Sequence, residues 1–162
     1  MIKGFEPVID KNCKVLILGT MPSQKSLQKM EYYGNPQNAF WKIIYALFCI
    51  PMDTDYKKRT SFLLKNNIAI WDVLYNCERE GSSDSKIKKP ITNDFKTLLQ
   101  NYPKIKSIFF NGQKAEALFM KLIWEKTPLN LDSLHRLPST SPAHAISFDK
   151  KLKAWQVILD YL

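Results

Sequence analysis

The chain is short of the residues that most enzymes use to hold metals or to move protons. It has three cysteines, at 13, 49 and 77, and two histidines, at 135 and 144. The cysteine count is odd and no Cys-x-x-Cys occurs, so a disulfide framework, a zinc site and a four-thiolate iron–sulfur cluster are all disfavoured. The histidines form neither His-x-His nor His-x-x-x-His, so no metal is expected. Neither Gly-x-Gly-x-x-Gly nor the Walker phosphate loop appears, and Gly-x-Ser-x-Gly is absent too. Dinucleotide binding, phosphate-loop chemistry and a serine nucleophile elbow therefore lack support. No apolar run approaches the roughly 18 residues of a membrane span. The opening stretch lacks the apolar core of a signal peptide, so a cytoplasmic protein without membrane partners is expected. Arginine is scarce, at 59, 79 and 136 only.

What remains is a basic, well-packed composition. Lys+Arg outnumber Asp+Glu by 24 to 15 across 162 residues, a formal charge of +9. Hydrophobic residues are 45% and aromatics 12%. The length suits a single domain spanning 1–162, with a monomer as the default. The charge suits a polyanion, although lysine excess alone arises equally from biased composition.

Short apolar runs alternate with helical patterns. Lys14–Leu18, Ile68–Trp71, Ser107–Phe110 and Leu134–Leu137 read as strands. Helices are predicted from Asn38, with Phe40, Ile43, Ile44 and Leu47 on one face; over Tyr56–Lys65; from Thr92; after Gly112; and towards the C-terminus around Trp155. Residues 76–91 read as a long surface loop. Four buried strands separated by helices predict a three-layer α/β/α fold around a four-stranded parallel sheet. Ligands of such folds sit beyond the carboxyl ends of the strands. That rule gathers Gly19–Pro22, Trp71–Asp72, Asn111–Gly112 and Ser139–His144.

This rim carries amides, hydroxyls and aromatics. Asp72 is the one carboxylate directly after a strand, and a structural role orienting a backbone N–H is expected for it. Lys25 and Lys29 could in principle act as Schiff-base amines, but nothing in the sequence depresses their basicity. Amides and aromatics suit recognition of a planar base. Tyr33, Phe40 and Asn111 are candidates, although Phe40 also fits ordinary core and Asn111 ordinary turn chemistry.

Four motifs in order narrow the choice. Gly19-Thr20-Met21-Pro22-Ser23, followed by Tyr32-Tyr33-Gly34-Asn35-Pro36-Gln37-Asn38-Ala39-Phe40-Trp41, resembles the first motif of the uracil-DNA glycosylase superfamily. Ser139-Thr140-Ser141-Pro142-Ala143-His144 resembles its second motif, a Ser-Pro loop that approaches DNA. Trp71-Asp72-Val73, Gly81-Ser82-Ser83-Asp84-Ser85 and Asn111-Gly112-Gln113-Lys114-Ala115 are most similar to the hypoxanthine-DNA glycosylase branch. The resemblance spans nearly the whole chain. It implies a uracil-DNA glycosylase-like fold and a monofunctional glycosylase, without cofactor, acting on DNA that holds a deaminated base. Hypoxanthine is favoured, and uracil is possible.

Two departures stand out. Other branches place Asp or Asn at the third position of Gly-x-x-Pro, where this chain has Met21, which cannot orient water well. The resemblance passes water positioning to Asn38. Ser139 stands where other branches carry His or Asn to stabilise the leaving base, so Asn38 and Ser139 are the catalytic candidates. Gly19, Thr20, Met21, Tyr33, Phe40 and Asn111 are expected at the base, with Phe40 stacking on it. Pro22, Ser23, Arg136, Ser141, Pro142, Ala143 and His144 are expected at the DNA. A mismatch-specific uracil glycosylase, a silent damage-binding module and an ordinary doubly wound nucleotide binder are the alternatives.

Overall fold

The computed structural model describes residues 1–162. In chain order the strands are β1 (Ile2–Lys3), β2 (Val15–Gly19), β3 (Ile68–Asp72), β4 (Leu74–Glu78), β5 (Lys88–Thr92), β6 (Ser107–Asn111) and β7 (Ser133–Leu137). The helices are α1 (Gln24–Lys29), α2 (Phe40–Leu47), α3 (Tyr56–Lys65), α4 (Phe95–Asn101), α5 (Gln113–Phe119) and α6 (Phe148–Trp155).

β3-β2-β6-β7 form a four-stranded sheet, parallel throughout. Every residue of β2 and β3 is buried. Their unbroken apolar runs therefore belong to strands covered by helices on both faces, which is the fold class read from the sequence. The register sets Gly19 beside Asp72 and Phe110 beside Arg136, so the carboxyl ends of all four strands finish at one edge.

The stretch 76–91 is not one surface loop. β4 and β5 pair antiparallel, and β1 joins them in a second sheet ordered β1-β4-β5. β5 is Lys-Lys-Pro-Ile-Thr with its first four residues exposed, and it lies at a sheet edge. Lysine and proline are what a protected edge strand carries, and neither gives an alternating signal. Val73 alone separates β3 from β4; its N–H donates to the Gly19 carbonyl, and that of Leu74 to Thr20. The small sheet thus grows out of the same edge as the strand ends.

Three helix starts differ from expectation. α1 lies inside the first loop, capped by Ser23 Oγ, which accepts from Ser26 N–H at 3.2 Å. α2 begins at Phe40, because Asn38 Oδ1 accepts the Phe40 N–H at 2.9 Å and takes the turn before the helix. α4 is capped by Asp94, since Thr92 is still in β5. No helix is long and apolar enough to cross a membrane.

Candidate active site

A cavity of about 710 Å³ opens at the shared strand edge. Four of its 24 lining residues are hydrophobic, so it suits a polar ligand rather than an apolar one. No group of three or more His, Cys, Asp or Glu side chains that could hold a metal occurs in the structure.

Its walls come from separate loops bonded to one another. Ala39 N–H donates to the Thr140 carbonyl at 3.0 Å, joining the loop before α2 to the loop after β7. Asn111, at the end of β6, accepts the Thr140 N–H on Oδ1 and donates from Nδ2 to Thr140 Oγ1, both at 2.9 Å. A backbone N–H at Oδ1 fixes which way round the amide sits. One N–H of Asn111 is left over. Ser139 Oγ accepts the Ser141 N–H at 3.1 Å, leaving its own proton free to donate elsewhere. Gly112 has φ +97°, and a Cβ there would stand 3.0 Å from Ser139 Cβ. That position needs glycine for both conformation and space.

α6 holds the loop after β7 from behind. Trp155 Nε1 donates to the Pro138 carbonyl at 2.9 Å, and Lys151 Nζ to the Ser141 carbonyl at 3.0 Å. Lys151 is 4% exposed, and burial lowers its pKa. On the other side, Arg79 clasps the first loop, donating to the carbonyls of Pro22 and Gly81 at 2.6 and 2.9 Å. Ser82 Oγ accepts the Gln24 N–H. Lys29 donates to the Gly34 carbonyl at 2.9 Å and serves the loop's shape.

The floor is aromatic and acidic. Phe40 is fully buried, and Tyr33 stacks on it with centroids 3.9 Å apart and planes 20° apart. Trp41 and Trp155 meet Phe40 edge-on. Tyr33 holds φ +54°, a left-handed conformation uncommon for a bulky residue. Asp72 is 4% exposed. A Cβ on Gly19 would lie 2.6 Å from Asp72 Oδ1 and 3.1 Å from the Tyr33 hydroxyl, so both groups converge over that glycine. Neither the Tyr33 hydroxyl nor Asp72 Oδ2 has a hydrogen-bond partner. Burial, then the Asp84 charge, pushes the Asp72 carboxyl up to about 7, while Arg79 opposes them. Burial and the Asp72 charge push the Tyr33 phenol up, and the Asn111 amide opposes them.

Gly19, Thr20, Met21, Pro22, Ser23, Tyr33, Asn38, Asn111, Ser139, Ser141, Pro142, Ala143 and His144 all border this cavity. Phe40 does not; Tyr33 covers its face. Arg136 does not either. It is on β7, its side chain about half exposed, with a guanidinium nitrogen 3.7 Å from Glu116. Asp72, Asp84 and Thr140 border the cavity as well and were not among the expected site residues. Thr140 and Asp84 lie within segments that carried the family resemblance, and Asp72 carried its own signal, a lone acid ending a buried apolar strand.

The chain matches the Uracil DNA glycosylase superfamily over residues 6–162. It belongs to that superfamily. Among similar superfamily proteins is a hypoxanthine DNA glycosylase of Methanosarcina acetivorans, 39% identical over 98% of each chain. A hypoxanthine DNA glycosylase of Methanosarcina barkeri is 40% identical over 70% of this chain and 72% of its own. A solution NMR structure from M. acetivorans, described as a uracil DNA glycosylase, superposes with a TM-score of 0.81. It is 36% identical and covers 96% of this chain and 94% of that one. By superfamily and fold this chain is a DNA glycosylase.

Proposed function

We propose that the chain hydrolyses the N-glycosidic bond of a deaminated base in DNA, hypoxanthine above uracil, as the first step of base-excision repair. The bond breaks without strand cleavage and without a cofactor. The observation that carries this reading is the pair of anchored amides on one polar cavity: Asn38 fixed by its bond to Phe40 N–H, and Asn111 fixed by Thr140. The names of the Methanosarcina relatives favour hypoxanthine.

The mechanism follows from what each group has left to offer. The base is flipped out of the duplex, at lower cost when it is mispaired. Tyr33 holds the position against Phe40 that a flat heterocycle would take, so the entering base displaces its ring and stacks on Phe40. The spare N–H of Asn111 is a donor for an exocyclic carbonyl at the six-position. Adenine presents an amino donor there, so the undamaged base is refused. The free proton of Ser139 supports the charge building on the leaving base. Asn38 keeps one lone pair and its amide protons after binding Phe40 N–H, and these position water at the anomeric carbon. An amide is no base at neutral pH, so its contribution is geometry, which suits a dissociative cleavage. Gly19, Thr20 and Met21 shape the slot. Pro22, Ser23, Ser141, Pro142, Ala143 and His144 line the mouth for the DNA backbone, with Arg136 further out among the basic residues that draw in the polyanion.

The test is strand cleavage of end-labelled oligonucleotides carrying hypoxanthine, uracil, xanthine or an etheno adduct, single-stranded and duplex, with and without alkali. Alkali-dependent cleavage at hypoxanthine is the expected result, and Asn38→Ala should slow it roughly 10²-fold in single turnover. Cleavage at uracil alone would refute the base preference. Binding to damaged DNA with no abasic product would make the chain a damage reader instead.

A further inference from the structure

Asp72 is a buried carboxyl at a strand end, on the floor of the cavity, with one oxygen unpartnered and sealed. A buried polar atom without a partner is costly, and native proteins rarely keep one. The Tyr33 hydroxyl beside it is in the same condition. The other carboxyl oxygen, Asp72 Oδ1, and the Tyr33 hydroxyl converge over Gly19, where no Cβ fits. The hydroxyl belongs to a ring stacked on Phe40 and held by a left-handed backbone. That is the description of a slot awaiting a planar ligand with polar atoms on its edge.

We propose that Asp72 is the general acid of this site, giving its proton to N7 of a 6-oxopurine as the bond to the sugar breaks. The inference rests on the glycosylase reading above and deepens it by making the substrate a purine. A base stacked on Phe40 in place of Tyr33 brings one edge towards both Asn111 and Asp72. On the major-groove edge of a 6-oxopurine, O6 and N7 are adjacent acceptors. The spare Asn111 N–H meets O6, and the protonated carboxyl meets N7. Uracil has no atom corresponding to N7.

The step balances. The C1′–N9 bond breaks and its electron pair goes to the purine. The Asp72 proton goes to N7, so the base departs neutral. The oxygen of the water held by Asn38 bonds to C1′; one of its protons remains as the new hydroxyl, and the other returns through solvent to Asp72. The groups facing this carboxyl are Tyr33 and Tyr32 from the loop after α1, Asp84 from the turn between β4 and β5, and Arg79 beyond β4. Burial and Asp84 keep the acid protonated up to about neutral pH, and Arg79 is the one opposing cation.

The experiment is single-turnover excision from duplexes carrying hypoxanthine or 7-deazahypoxanthine, in which carbon replaces N7, by wild type and Asp72→Asn between pH 5.5 and 9. The wild-type rate on hypoxanthine should fall tenfold per unit above about pH 7. Asp72→Asn should flatten that limb and cost roughly 10²-fold at pH 6 on hypoxanthine. On the deaza substrate it should cost less than about threefold, because the carbon in place of N7 has no lone pair to accept the proton. An equal loss on both substrates would overturn the proposal. So would a wild-type profile flat to pH 9, a result independent of whether the variant folds. A wild type that releases no hypoxanthine at any pH would instead refute the glycosylase reading beneath it.

Discussion

Replacing Asp72 by asparagine should make the protein more stable, and only at the higher pH values. The carboxyl is 4% exposed and its pKa rises from 3.8 to about 7 on folding, chiefly through burial. A rise of about three units at 1.36 kcal/mol each is about 4 kcal/mol. The folded pKa lies above the unfolded one, so the folded state holds the proton more tightly. Below about pH 4 both states are protonated and there is no penalty. The penalty grows from about pH 4 to about 7 and is complete above it. Asparagine keeps the shape without the charge. Urea unfolding followed by tryptophan fluorescence should therefore show wild type and variant alike near pH 4 and the variant ahead by up to about 4 kcal/mol at pH 8. With a chain of this size, that is a melting-temperature gain of about 8–16 °C. A variant no more stable than wild type at pH 8, with the same pH slope, would show that folding does not raise the Asp72 pKa. A stabilising substitution that disables the site is the signature of a residue kept for chemistry.

Three further outcomes are expected. Lys151→Met removes the bond to the Ser141 carbonyl while keeping the stem's packing; excision should fall about tenfold, from looser placement of Ser139, with a melting temperature shifted by only a few degrees. Gly112→Ala forces a Cβ onto Ser139 at φ +97°, and should cost about 1–3 kcal/mol in urea unfolding together with activity. Tyr33→Ala empties the slot, so free hypoxanthine should raise its melting temperature at lower concentration than it does for wild type; equal concentrations would show that Tyr33 does not occupy the base's place.

The parallel sheet was legible because β2, β3 and β6 are uninterrupted apolar runs, and burial on both faces demands that pattern. The β4–β5 hairpin was hidden by its function as an edge, since Lys88, Lys89 and Pro90 suppress the signals that mark a strand. The cavity loops were legible as motifs, but the state of their side chains was not. That Asn111 spends most of its amide on Thr140, 29 residues away, is a fact of tertiary structure. So is the stacking of Tyr33 on Phe40, which leaves Phe40 facing no cavity until Tyr33 moves. Lys151 reads as one more solvated lysine among Asp149, Lys150 and Lys153, and only packing shows it to be buried. Asp72 gave the right position at a strand end and no hint of its missing partners.

The bonds from Lys151 and Trp155 to the carbonyls of Ser141 and Pro138 have a consequence for the order of synthesis. Every residue that borders the cavity has been polymerised by the time His144 is added. The two side chains that hold the loop around Ser139 follow several residues later. A nascent chain therefore carries a full set of site residues with nothing behind its last loop. A nick between His144 and Ser147 would leave those two bonds and the packing of Trp155 as what holds α6 behind the loop, while deleting no residue of the site.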